Sequence, residues 1–369
     1  MNRRADLEWL RVVLCASVIL QHAVLIFAAE PRYHLKSPEA VTWAVPLYEA
    51  LRIAAMPPFF AIAGWAAVVS LRRRDARHFV HERLVRIGVP LLSGIVVLGP
   101  AIKYIELTGG RDLGLAGFRL VQPWTAGFLA FLPSYFTRIA LVTWSHLWFL
   151  AYLLVYCLVL LPLLLRLARR PMWGREPGAL AAYAPALVFA AWLAVSGGYW
   201  PYLPNLIQDW ANVVYFALFF LAGATLAVWP RLERQVWSQG GGLAVLAGVG
   251  FAGVLWWGES TPGRAMVGLS AWGATGAAWA FAHRWARPWT PRLGAASEAT
   301  LPVYVVHHLP LLLIGLGLLR TGWPAWVQIG ANAVASAVVS VLIYLVLIRP
   351  WPVMRMLFGM SGTPARARR

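Results

Sequence analysis

The residues with the most chemical potential in this chain lie inside its first apolar run, LEWLRVVLCASVILQHAVLIFA, residues 7–28. That run is long enough to cross a bilayer, yet it carries Arg11 near its start and His22 well inside. An ionisable side chain within a span costs about 3 kcal/mol on insertion scales, so such residues mark function. The spacing of 11 residues, at about 100° each, comes to three turns plus about 20°. Arg11 and His22 therefore share one helix face, about 16 Å apart along the axis. One end of that face can hold a negative group. The other offers a base, because an imidazole in a partly dry site can accept a hydroxyl proton at neutral pH. A histidine hydrogen-bonded between helices is the bland alternative, and Arg11 on the same face with Gln21 adjacent weighs against it.

Further candidates follow along the chain. In RRRDARHFVHERLVRIGVP (72–90), Arg72 to Arg74 read as topogenic charge. Arg83 and Arg86 differ, because residues three apart share a helix face and two guanidiniums form a fork for phosphate or carboxylate. A snorkelling interfacial pair is their alternative. His146 opens an apolar run in SHLWFL (145–150). His307 and His308, in LPVYVVHHLP (301–310), lie about 12 Å into another run. Adjacent residues point about 100° apart, so at most one of these two faces a given cavity. Tyr304 shares the face of His307. The stretch GGYWPYLPNLIQDW (197–210) ends near Asp209. Its aromatics suit an interfacial belt first, and stacking against sugar rings second, with Asp209, His146 and Tyr304 as the expected substrate-binding residues.

The elements that must position these groups are membrane helices. Of 369 residues, 60% are hydrophobic and 12% are charged, where soluble domains average about 25% charged. Apolar runs are long and period-2 alternation is absent, which predicts an all-α polytopic helical bundle and not barrel strands. About ten spans are expected, near 7–28, 51–71, 87–106, 146–165, 179–196, 211–229, 241–257, 265–283, 299–319 and 327–348. With both termini cytoplasmic, the inside segments hold about 22 Lys and Arg and the outside segments about 8, the expected bias. The domain reading is one transmembrane domain over 1–350 and a basic cytoplasmic tail over 351–369. In the outside loop 107–145, the semi-apolar stretch GFLAFLPSYF (127–136) is too short to span and predicts a re-entrant or interfacial helix. Gln21 and His22 inside the first run argue for a retained span over a cleaved signal peptide.

Composition also excludes. The net charge of +18 sits in short loops between apolar runs, so topology explains it and no nucleic-acid partner is implied. Cys15 and Cys157 lie in apolar runs, which gives no disulfide framework. There is no Walker A sequence, no dinucleotide-binding glycine pattern, and no H-E-x-x-H or paired-cysteine set, so no metal is expected. A transporter of an anionic metabolite or lipid-linked sugar could use the same Arg–His axis. Transporters often show two related halves, and residues 1–170 and 180–350 show no such echo.

Arg11, ten residues, then His22 resembles the first-helix signature of the integral-membrane acyltransferase family 3. Four further stretches resemble its glucan-modifying branch, in matching order: MPPFFAIAGW (56–65), HERLVRIGVPLL (81–92), SHLWFL (145–150) and LPVYVVHHLP (301–310). Together they cover residues 7 to about 350. The resemblance implies a ten-helix O-acyltransferase of the bacterial inner membrane. It would take an acyl group, succinyl in the glucan branch, from cytoplasmic acyl-CoA and pass it to hydroxyls of a periplasmic glucan. Acetyl transfer to another extracytoplasmic polysaccharide is the alternative. The resemblance implies His22 as catalytic base or acyl carrier, Arg11, Arg83 and Arg86 as functional arginines, and supporting places for His146 and His307. Acyl-CoA, with succinyl-CoA favoured, would be a substrate and not a bound cofactor. One departure is Ala63, where the family commonly carries serine. Glu298 matches no position of the pattern.

Overall fold

The computed structural model describes residues 4–114, 117–172, 174, 176–200, 204–286 and 290–361. Residues 362–369 of the expected basic tail, and 201–203 of the aromatic loop, lie outside the described residues. Helix α1 (Ala5–Leu25) leads to α2 (Ala44–Leu71) and α3 (Ala76–Arg83), then through a π turn at Leu84–Gly88 to α4 (Val89–Val97) and α5 (Gly99–Thr108). Strands β1 (Arg111–Gly114) and β2 (Gly117–Leu120) pair antiparallel, Arg111 opposite Leu120. Next come α6 (Phe128–Thr137), α7 (Trp148–Val159), α8 (Leu161–Arg169), α9 (Ala184–Ser196) and α10 (Trp210–Val228). Helices α11 (Pro230–Ser238), α12 (Gly240–Trp257), α13 (Thr261–Trp285), α14 (Thr290–Val306), α15 (His308–Leu318), α16 (Ala325–Ile343) and α17 (Pro352–Leu357) complete the order.

This is the expected all-α polytopic bundle. Among the described residues, 6 helices are long and apolar enough to cross a membrane, or 9 if each bent pair is one span. The expected tenth is α13, which at 25 residues has the length but not the apolarity. It packs through small residues instead. A Cβ on its Gly268 would sit 2.5 Å from the backbone of α9, and one on Gly273 would sit 2.5 Å from the backbone of α12. Where lipid removes the hydrophobic drive between helices, such close backbone approach holds them together. The outward faces of α12 and α16 carry Val245, Val249, Val334 and Val338 exposed, as lipid contact requires. The semi-apolar stretch 127–136 forms the short apolar helix α6.

Prolines set the bends. The α4/α5, α7/α8 and α14/α15 pairs turn by 45°, 62° and 60° respectively. Each bend comes just before a proline: Pro100, Pro162 and Pro310. A proline offers no N–H, and its ring clashes with the carbonyl four residues back, so the helix breaks there. The π turn before Pro90 relieves the same clash by widening.

The chain divides into two compact units. Unit one comprises Met1–Leu14, Ala50–Arg83 and Tyr152–Ser297. Its core stacks Phe189 on Phe219 at 3.9 Å between ring centroids. There α2 and α10 meet through glycines: a Cβ on Gly64 would lie 1.7 Å from the Phe220 carbonyl oxygen, and one on Gly223 would lie 1.8 Å from that of Ala61. Unit two comprises Cys15–Glu49, Leu84–Ala151 and Glu298–Arg369. It holds every histidine discussed below.

Candidate active site

His22 lies one turn from the end of α1, and the chain then folds back over that end. Lys36 Nζ donates to the carbonyls of Leu25 and Ala28, and Ser37 N–H donates to that of Ile26 at 2.8 Å. These bonds satisfy carbonyls that a helix terminus leaves open. They also bring Tyr33 and His34 back to the helix. Tyr33 stacks on His22 at 6.0 Å, and burial pushes its phenol well above the usual value.

The break at His307 supplies the other side. Its ring stacks on His22 at 5.2 Å, and the ring of His308 meets His22 edge-on at 4.7 Å. The expectation that at most one of the adjacent pair faces the cavity is therefore corrected. It assumed a continuous helix, and the 60° bend ahead of Pro310 turns both rings toward His22. His146, in the turn before α7, stacks on His308 at 4.6 Å and lies 6.3 Å from His22.

Hydrogen bonds fix the proton positions of the neutral rings. His307 Nδ1 lies 2.7 Å from the Tyr304 carbonyl, which can only accept, so Nδ1 carries the hydrogen. Its Nε2 then holds a lone pair and accepts from His22 Nδ1–H at 3.0 Å. That leaves the lone pair of His22 on Nε2, the state of a general base. His146 Nε2 donates to the Val305 carbonyl at 3.0 Å, so its Nδ1 carries the lone pair. Among the described residues, His146 Nδ1 and both ring nitrogens of His308 are buried without a hydrogen-bond partner. Buried polar atoms of this kind cost free energy unless a ligand or water satisfies them. Nitrogens of His22, His307 and His308 all lie within 4.8 Å of one another, close enough to converge on a transition-metal ion. The bonds to Tyr304 and His22, however, use both nitrogens of His307.

The remaining expected residues fall in different places. Tyr304 is buried and donates its hydroxyl to the His146 carbonyl, which pins that turn. Arg11 and Arg83 belong to unit one, where their charges lie near enough to repel. The Arg83 guanidinium also rests over the Phe79 ring at 4.8 Å. Arg86 lies in the π turn that starts just after Arg83, so regular α-helical spacing no longer gives the two a common face. Asp209, in unit one, is fully buried and accepts from the Tyr152 hydroxyl at 2.6 Å and from Asn212 Nδ2 at 2.5 Å. Both carboxylate oxygens thus bond to side chains at the start of α10 and in α7. Glu298 pairs with the buried Arg355 at 3.1 Å. A separate cavity of about 790 Å³ in unit two, walled by Val97, Leu309, Leu313, Ile343 and Leu347, holds no ionisable side chain.

Comparison with known proteins decides the class. The sequence pattern of the family described as "Acyltransferase domain" matches residues 4–345. The chain belongs to this acyltransferase family. It is 22% identical over 387 aligned residues to "Glucans biosynthesis protein C" of Escherichia coli (strain K12), covering 98% of this chain and 95% of that protein. The same figures hold for the protein of that name from Shigella dysenteriae serotype 1 (strain Sd197). No solved structure matches.

Sequence reasoning missed one part of this membrane acyltransferase. Lys103 and Glu106 are fully buried in α5 and paired at 2.5 Å, and Lys103 also binds Asp112 of β1. Glu106 in turn meets His34. Two opposite charges three residues apart in an otherwise apolar helix were the available signal.

Proposed function

We propose that this membrane acyltransferase moves an acyl group, most specifically succinyl, from cytoplasmic acyl-CoA to hydroxyls of a periplasmic glucan. In this reading it is a bacterial inner-membrane protein with both termini cytoplasmic. The observation that carries the proposal is the bonded chain Tyr304 carbonyl, His307, His22, which leaves a lone pair on His22 Nε2. The glucan-biosynthesis relatives support the choice of acceptor.

His22 Nε2 takes the proton of the acceptor hydroxyl as its oxygen attacks the acyl carbonyl carbon. The C–S bond breaks, and the thiolate of CoA leaves with the proton. His307 holds His22 in the tautomer that makes this possible. Arg11, on the same helix as His22 and about 16 Å away by helical rise, lies near the like charge of Arg83 and the opposite charge of Glu8. A phosphate of CoA beside the two guanidiniums would offset their repulsion.

The test is binding and turnover of succinyl-CoA beside acetyl-CoA by purified protein in nanodiscs, with a linear glucan as acceptor. Saturable succinyl transfer, weakened in affinity by Arg83→Ala, supports the proposal. Transfer of acetyl in preference would replace the donor. No binding of either thioester would reject the acyl-CoA reading and turn attention to transport.

A further inference from the structure

Ser145, His34 and Glu106 stand in a line that the function above does not use. Ser145 Oγ–H donates to His34 Nε2 at 2.8 Å, and His34 Nδ1–H donates to Glu106 Oε2. The other Glu106 oxygen accepts from Lys103 Nζ and from Leu113 N–H, both at 2.5 Å. Asp112 then closes the charge balance between Lys103 and Arg119, the latter at 2.8 Å. The three groups come from three separate segments, 72 and 111 residues apart in sequence for the two bonds. Glu106 is fully buried and His34 is buried, whereas Ser145 is only partly covered.

The backbone at Ser145 adds an independent observation. Its φ is 47°, and among the described residues only Leu206 joins it as a non-glycine in the left-handed region. Such a conformation costs of order 1–3 kcal/mol and persists where the surroundings fix it, commonly at active sites. Here the Ser145 N–H is held by Thr143 Oγ1 at 3.0 Å, with the Tyr304 hydroxyl on the carbonyl of His146. A hydroxyl presented from a strained turn, bonded to an imidazole that a buried carboxylate orients, is the geometry of an activated nucleophile. The His308 ring lies 5.2 Å from that of His34 and 4.7 Å from that of His22, so one imidazole separates the two bases.

We propose that Ser145, activated by His34 and Glu106, carries the acyl group as a serine ester between donor and acceptor. The proposal rests on the thioester donor proposed above. Ser145 Oγ attacks the acyl carbonyl carbon as its proton passes to His34 Nε2. The C–S bond then breaks, and the leaving thiolate takes that proton to depart as a thiol. In the second half, the acceptor hydroxyl gives its proton to His22 Nε2 and attacks the ester. The bond to Oγ breaks, and the leaving Oγ takes up the proton that His22 Nε2 received, which restores both bases, so thioester and alcohol become ester and thiol. His22 then serves the second half, and His34 the first.

The experiment incubates the full chain in nanodiscs with succinyl-CoA, or with acetyl-CoA, without acceptor. Acid-quenched protein is mapped by peptide mass spectrometry, and transfer to glucan is measured in parallel. Wild type is expected to carry an acyl ester on Ser145 that disappears in Ser145→Gly and in His34→Gln. Ser145→Gly removes the hydroxyl while favouring the positive φ, so its fold is kept. Its transfer rate should fall at least about 100-fold, and Ser145→Cys should form a hydroxylamine-sensitive thioester instead. Transfer by Ser145→Gly at the wild-type rate overturns the serine relay and leaves the acyltransfer reading intact. No thioester cleavage by wild type overturns both.

Discussion

Replacing His307 by phenylalanine tests how the site fixes its base. The substitution keeps the ring and most of its packing against His22 but removes the nitrogen that accepts from His22 Nδ1–H at 3.0 Å. A buried donor left without a partner costs about 1–3 kcal/mol. His22 can escape that cost by moving its hydrogen from Nδ1 to Nε2, which turns the base into a donor toward the acceptor hydroxyl. Loss of a general base lowers a rate by about 10²–10⁴. His307→Phe is therefore expected to lose that much in kcat, with KM for the acyl donor unchanged. His307→Gln keeps an acceptor oxygen within reach and should recover most of the rate. The assay is steady-state acyl transfer in nanodiscs, with a thermal melt of each variant to confirm folding. A His307→Phe rate within about threefold of wild type, a negligible change in barrier on this scale, would refute the reasoning. So would a folded His307→Gln as inactive as His307→Phe.

Other perturbations separate structure from chemistry. Burial pushes Lys36 down to about 8, with Glu30 opposing the shift, against an ordinary value of 10.5. The unfolded chain then binds that proton more tightly, so this group adds stability as pH rises from about 8 to 10.5. Melting temperature against pH should rise more steeply for wild type than for Lys36→Met in that window, and equal slopes would contradict the assignment. Gly64→Ala would set a Cβ 1.7 Å from the Phe220 carbonyl oxygen, forcing α2 from α10, whereas Gly127→Ala meets nothing within 4 Å. The first should cost at least about 3 kcal/mol and the second should be neutral, as read by thermal unfolding in detergent. Asp209→Asn puts an amide donor where a carboxylate oxygen accepts from Tyr152 or Asn212, and Tyr152→Phe removes the donating hydroxyl. Each should lower stability by about 1–3 kcal/mol, with the double variant costing less than the sum of the two singles. A selective rise in KM for glucan in Asp209→Asn would support its sugar-facing role.

Much of this was legible in the chain because membrane helices announce themselves by length and apolarity. The expected spans coincide with the long helices and the bent pairs, and α13 diverges only because glycine packing replaced apolar bulk. His22, His146 and His307 were readable as costly polar groups in apolar runs, and unit two gathers them around one point. His308 was misjudged because periodicity assumes an unbroken helix, and Pro310 breaks it. The internal bonds of Asp209 and Tyr304 were not legible from their neighbours in sequence, because the partners come from distant segments. Ser145, His34 and Glu106 escaped for a different reason. Ser145 and His34 are ordinary in their own segments, and only the return of residues 26–37 onto the end of α1 brings His34 to the other two.

The most direct measurement of the central claim is succinyl transfer from succinyl-CoA to a linear glucan by wild type and His22→Ala, with donor binding recorded for both. The account predicts a loss of at least about 100-fold in transfer with donor binding retained, because His22 acts on the acceptor hydroxyl and not on the CoA phosphates. Transfer by a folded His22→Ala near the wild-type rate would contradict it.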